Sequence, residues 1–186
     1  MKTILVFLLL LTGAYQLQAQ RLLSGQKGIE LSTGIHSNGK AFKEQYFIKG
    51  GLVLIRTNGN YQFLYIDYSS KKYSFENDII PVETFAAEAG YSFHIASDWR
   101  KTFSINLGLG AVGGYEQINK GDSVLSSGAV LTGKNSFVYG GTGNLSLEFY
   151  IGDRFVLLTR AQARYLLGTS MDHLRPSLGV GLRFIF

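Results

Sequence analysis

Several groups of residues carry types and spacings that could do chemistry. Gly108-Leu109-Gly110-Ala111-Val112-Gly113 has the spacing G-x-G-x-x-G and follows a strand-like run, Thr102 to Leu107. Between a strand and a helix, such glycines let the backbone approach a dinucleotide pyrophosphate. Gly128 to Asn135 (GAVLTGKN) nearly matches the phosphate-binding loop, with Asn135 where a Ser or Thr must reach magnesium. His36, His94 and His173 could each supply a base, and His173 lies beside Asp172 with Ser170 nearby. Arg160-Ala161-Gln162-Ala163-Arg164 puts two cations and an amide on one face of a strand. That face could select anions in a constriction, or could pair with Glu88, Glu116 or Glu148.

What these residues can do depends on the elements that hold them. Phe103, Ile105, Leu107, Leu109 and Ala111 alternate with Ser104, Asn106, Gly108 and Gly110. This period of two marks a strand and runs straight through the glycines. Tyr115 to Asp122 (YEQINKGD) shows no apolar helical stripe, and Val130 stands where a ribose-binding acid would be needed. Gly108 and Gly110 therefore read as small inward-facing residues of a strand, and no nucleotide site is expected. Gly128 to Asn135 reads as a polar external loop. No His or carboxylate spacing suggests a metal, and no cofactor is expected.

The same alternation recurs at Phe137 to Ile151, Leu157 to Leu167 and Ser177 to Phe186. Weaker strands cover Gln26 to Ile35, Gln45 to Arg56, Asn60 to Ser69 and Val82 to Ile95, giving eight in all. Their connections alternate in length. His36 to Glu44, Ser70 to Pro81 and Gln117 to Asn135 are long, and Gly168 to His173 is intermediate. Thr57-Asn58-Gly59, Ala96 to Lys101 and Gly152-Asp153 are short, and Asn-Gly is a strong hairpin turn.

Composition limits where such strands can be used. The chain has 186 residues with 23 Gly, 13 Phe and 11 Tyr, so many short strands and tight turns are expected. It has no Cys, which excludes disulfides, thiolate ligands and a lipid-modified cysteine anchor. Its net charge is +5, but the basic residues do not form a stripe, so no direct nucleic-acid binding is expected. Lys2, the apolar run Ile4 to Leu11 and the Gln18-Ala19-Gln20 junction read as a secretory signal peptide over residues 1–19. No later segment approaches the ~20 apolar residues of a membrane helix.

An exported chain of this pattern can enter a membrane only as a closed barrel. The expected fold is all-β, an eight-stranded antiparallel outer-membrane β-barrel over residues 20–186, with short periplasmic turns and longer outer loops. Bulky apolar residues would face lipid. Glu30, Asp67, Glu88, Glu116 and Glu148 would share the lumen with Lys49, Arg160, Arg164 and Arg183 as a packed charge network. The inverse assignment, a soluble periplasmic ligand-binding barrel with an apolar interior, is the alternative that alternation alone leaves open. A third reading is an outer-membrane lipid-modifying enzyme built on His173. Leu178, Val180, Leu182, Phe184 and Phe186 resemble the C-terminal strand signal for outer-membrane insertion. Tyr46, Tyr65, Tyr68, Tyr91, Tyr115, Tyr139 and Tyr165 are expected in interfacial girdles, with Trp99 as a periplasmic anchor.

Several stretches together resemble a known family. They are Ala19 to Leu22 running into Gln26 to Leu31, Gly113 to Glu116, Phe137 to Gly141, Ala161 to Thr169 and Arg175 to Leu178. The chain resembles the conjugative transposon protein TraO family. The resemblance implies a non-enzymatic outer-envelope component of a conjugative DNA-transfer apparatus, with outer-membrane lipid and other apparatus proteins as partners. It implies no catalytic residues.

Overall fold

The computed structural model describes residues 23–36, 45–75, 78–119 and 135–186. The expected signal peptide at 1–19 and the segments 37–44 and 120–134 lie outside the described residues, as does nearly all of the Gly128 to Asn135 motif. Among the described residues no helix is long and apolar enough to cross a membrane.

Eight strands follow in chain order: β1 (Lys27–His36), β2 (Gln45–Ile55), β3 (Tyr61–Phe75), β4 (Asp78–Ser97), β5 (Phe103–Ile118), β6 (Ser136–Ile151), β7 (Phe155–Leu167) and β8 (Leu174–Ile185). Each pairs antiparallel with the next, and β8 returns to β1, closing a barrel. Closure leaves no unpaired edge, which is how an all-β wall satisfies its own backbone. The seam is stitched to its end, where Phe186 N donates to Lys27 O at 2.9 Å.

The short connections and both described chain ends share one end of the barrel, here the turn end. At Thr57–Gly59, Asn58 and Gly59 take φ of 61° and 78°, the left-handed pair that a tight hairpin requires. The opposite end is the loop end. There β3 and β4 run much further than the expected Ser69 and Val82. Lys71 pairs with Val82 and Phe75 with Asp78, so Ser70 to Pro81 is mostly paired strand and not a loop.

Side chains sort by parity. Leu31, Ile66, Phe85, Leu109, Phe137, Leu145 and Leu182 are exposed on the outer wall, while Glu30, Lys49, Glu88, Glu148 and Arg183 are buried within. The charged set is therefore inside and the apolar set outside, which rules out the inverse assignment. An apolar belt of this extent is a surface for lipid and not for water. Apolar residues also sit within the lumen, notably Val53, Ile55, Tyr61, Phe63 and Tyr65. Tyr65 is thus lumenal and not part of a girdle. Phe63 stacks on it at 5.0 Å between centroids.

Candidate functional site

The lumen is where the sequence concentrates its ionisable groups, and every strand contributes. Inward positions recur at every second residue, so a carboxylate on one wall meets a guanidinium on another only if the register is right. At the turn end, Arg183 of β8 places Nε and Nη2 at 3.0 and 2.9 Å from Glu30 Oε2, and Nη1 at 2.9 Å from Glu148 Oε2. Tyr61 donates its hydroxyl to Glu148 Oε1 at 2.7 Å, and its ring lies 4.2 Å from the Arg183 guanidinium carbon. Aromatic, cation and anion form one unit there.

In the middle of the barrel, Arg160 Nη1 approaches Glu30 Oε1 at 2.7 Å. Arg164 reaches Asp67 Oδ2 at 2.5 Å and Glu88 Oε2 at 2.8 Å. Lys49 Nζ donates to the same Glu88 oxygen at 3.1 Å and to Gln162 Oε1 at 2.7 Å. Arg160 and Arg164 therefore pair with Glu30, Asp67 and Glu88. Glu116 and Glu148 bond elsewhere.

Toward the loop end, Arg175 Nη2 donates to Glu116 Oε2 at 2.5 Å and to Thr169 Oγ1 at 2.9 Å. Thr169 in turn donates to Glu116 Oε1 at 2.6 Å. The β7–β8 connection thus folds across the mouth, and Met171 packs on Ile80, Val82 and Ile118 as an apolar cap. Among the described residues, six cations (Lys49, Lys71, Arg160, Arg164, Arg175, Arg183) and five acids (Glu30, Asp67, Glu88, Glu116, Glu148) are buried in the lumen. Sequence reasoning missed Lys71 and Arg175 because it ended β3 at Ser69 and began β8 at Ser177. Parity would have found both, since Lys71 follows Asp67 and Ser69 in step, and Arg175 precedes Ser177 by two.

The other candidates fall apart in space. His36 is buried near the loop end against Phe47, with ring centroids 5.8 Å apart. His94 sits near the turn end, its backbone N–H donating to Asn60 Oδ1 at 2.8 Å. His173 Nδ1 lies 2.8 Å from Leu166 O, and its ring stacks on Tyr165. Asp172 accepts from Lys71 Nζ at 2.8 Å and Tyr73 hydroxyl at 3.1 Å. The Asp172 carboxylate and His173 ring are thus engaged with different partners. Gly108 lies under the Asn144 side chain and Gly110 against the β4 backbone, while Gly113 points outward into open space. The three glycines form no phosphate cradle. Among the described residues no group of three or more His, Asp or Glu could hold a metal ion.

Leu178, Val180, Leu182 and Phe186 of the closing strand all face outward and are exposed. Phe184, half-buried on the same face, tilts against Phe155 with centroids 5.1 Å apart. Trp99, at 99% exposure, stands clear of the wall in the β4–β5 turn.

A family model described as conjugative transposon protein TraO matches residues 23–186. The chain belongs to the TraO family. Membership associates it with conjugative transposons. No curated protein is significantly similar to this TraO chain over its sequence. Among solved structures, the fold is that of outer-membrane β-barrels. Ail, the attachment invasion locus protein of Yersinia pestis, solved with a heparin analogue, is 14% identical with a TM-score of 0.55, covering 88% of this chain and 100% of its own. The N-terminal β-barrel domain of Pseudomonas aeruginosa OprF is 11% identical with a TM-score of 0.51, covering 88% and 98%. Neisserial surface protein A is 16% identical with a TM-score of 0.50, covering 87% and 95%.

The cap of this TraO chain carries a pH dependence. The hydrogen bond from Lys71 is the main influence holding the Asp172 carboxyl below its ordinary range. A depressed folded-state pKa contributes stability that is present above the unfolded value, ~3.9 for Asp. It is lost as pH falls through that value and below. Asp172→Asn should therefore melt earlier than wild type at neutral pH. The gap should narrow as the pH is lowered toward and past ~3.9, read by thermal unfolding in detergent. A gap that stays constant with pH would refute this. The effect will be small, because half of the Asp172 side chain is in solvent.

Proposed function

We propose that this chain is exported by its residues 1–19 and inserts in the outer membrane. There it serves conjugative transfer as a non-enzymatic component that anchors and contacts other apparatus proteins. The observation that carries this reading is the sealed lumen. Paired charges from the level of Arg183–Glu148 to that of Arg175–Glu116 fill the lumen between them. An interior of eight strands is only wide enough for side chains, so no DNA strand can pass. Function then belongs to the surfaces. The apolar belt meets outer-membrane lipid, and the outward row Leu178, Val180, Leu182, Phe184 and Phe186 suits recognition of the last strand during insertion. The outer loops and periplasmic turns remain for protein contacts. Direct nucleic-acid binding has no part in this reading.

The test is a deletion of residues 120–134 in the donor, with donor-to-recipient transfer frequency as the readout. The wall does not depend on that loop, because β5 and β6 pair directly from Glu116–Ser136 onward. The expected outcome is a folded barrel, seen as a gel band that shifts on boiling, with transfer clearly reduced. Unchanged transfer from a folded deletion would count against the contact role.

A further inference from the structure

The filled lumen stops short of the turn end. Below Tyr150 and Ser104 the barrel opens into a cavity of about 520 Å³. Among the described residues its walls carry Leu23, Ser24, Asn58, His94, Lys101, Ser104 and the Tyr150 hydroxyl, and no carboxylate. The Tyr150 hydroxyl at its roof donates to Glu148 Oε2 at 3.1 Å, so the charge network fixes the roof in place. Directly above, Asn106 of β5 is opposite His94 in register and is buried, with Nδ2 on Ser104 Oγ at 3.1 Å and Oδ1 unpartnered. Among the described residues in and beside the turns at this end, Lys27, Arg56, Arg100, Lys101 and Arg154 outnumber Asp98 and Asp153, and Lys101 lies in the cavity wall.

We infer that this vestibule is a docking site for an acidic, extended peptide segment of a periplasmic partner. A lining of hydroxyls, an amide, an imidazole and an ammonium, beside turns where cations outnumber acids, complements carboxylates. The volume lies in the range of ligand pockets, ~300–1,000 Å³. The position selects the class of ligand. Lipid would meet the outer wall, where Phe149 and Phe155 are exposed, whereas the cavity is lined by inward-facing strand residues and by turns. A single-stranded nucleic acid would need aromatic platforms for its bases. The one aromatic side chain in the lining with a polar tip, Tyr150, is tied to Glu148. The inference rests on the envelope reading only for the assignment of the turn end to the periplasm.

The test uses the purified mature chain refolded in detergent. The protein has no cysteine, so Ser24→Cys gives one thiol at the mouth for an environment-sensitive dye. Hexaglutamate is the probe, with hexalysine, hexathymidylate and a short-chain phosphatidylglycerol as comparisons. Hexaglutamate should change the emission saturably, and Lys101→Glu should weaken its binding by about tenfold, the scale of one charge-assisted contact. The boil-shifted band confirms that each variant is folded. The inference fails if folded protein gives no saturable response to hexaglutamate, or if Lys101→Glu leaves the response unchanged. It also fails if any comparison probe binds as well as hexaglutamate. Because binding is read on the isolated chain, such a failure is separable from a failure of the transfer role.

Discussion

Replacing Arg183 with leucine is expected to destabilise the barrel by about 3–5 kcal/mol, the usual cost of stranding buried charge. Arg183 is fully buried, and so are the two carboxylates it serves, Glu30 and Glu148. Without the guanidinium, Glu148 keeps only the Tyr61, Tyr150 and Ser146 hydroxyls. Glu30 still has Arg160 at 2.7 Å. The second substitution follows from that difference. Adding Glu148→Gln to Arg183→Leu removes the stranded charge and should restore part of the loss, giving a coupling of about 0.5–3 kcal/mol. Urea midpoints from the fraction of boil-shifted band would measure both. Arg183→Leu at the wild-type midpoint would show that the network contributes nothing to the fold.

Gly34→Val is expected to leave no folded band at all. A Cβ at Gly34 would press on the Leu178 carbonyl oxygen, the Gly179 Cα and the Phe47 ring. Two of those three are backbone atoms of β8 at the closing seam, so no side-chain rotation relieves them. Overpacking alone costs about 1–3 kcal/mol. Here the alternative to that cost is an open β1–β8 ladder, which exposes unpaired backbone to lipid. Gly113 supplies the control. It faces outward with nothing within 4 Å of an added Cβ, so Gly113→Val should fold like wild type. Equal behaviour of the two variants would refute the seam argument and would return weight to a common role for the glycines.

Parity carried most of the fold. Once Glu30, Glu88 and Glu148 are set inward, alternation fixes the facing of nearly every residue in their strands. Where the reading departed from parity it erred. Tyr65 shares its face with Asp67, yet its residue type suggested a girdle; in the structure its hydroxyl donates to Glu30 Oε2 at 3.0 Å. Ending β3 at Ser69 lost Lys71, and beginning β8 at Ser177 lost Arg175, which stands just before Pro176. In β8 that proline sits within the paired strand, opposite Ala163. Partner choice was not legible. Alternation says that Arg160 points inward, but whether it meets Glu30 or Glu148 depends on how far each strand is staggered against strands that are distant in sequence. The vestibule was equally hidden, since it arises where two turns and the segment before β1 surround unfilled space.

The β3–β4 hairpin has a mechanical consequence. β4 has 20 residues and β3 has 15, while a tilted crossing needs about 9–11. At ~3.3 Å per residue the roughly five surplus residues of the shorter strand extend the continuous ladder by about 15 Å beyond that span. The same two strands carry Lys49's partner Glu88 and Arg164's partner Asp67. A force applied to this hairpin would thus be borne by the ionic core and not by a slack tether, making the hairpin a stiff lever planted in a braced foundation.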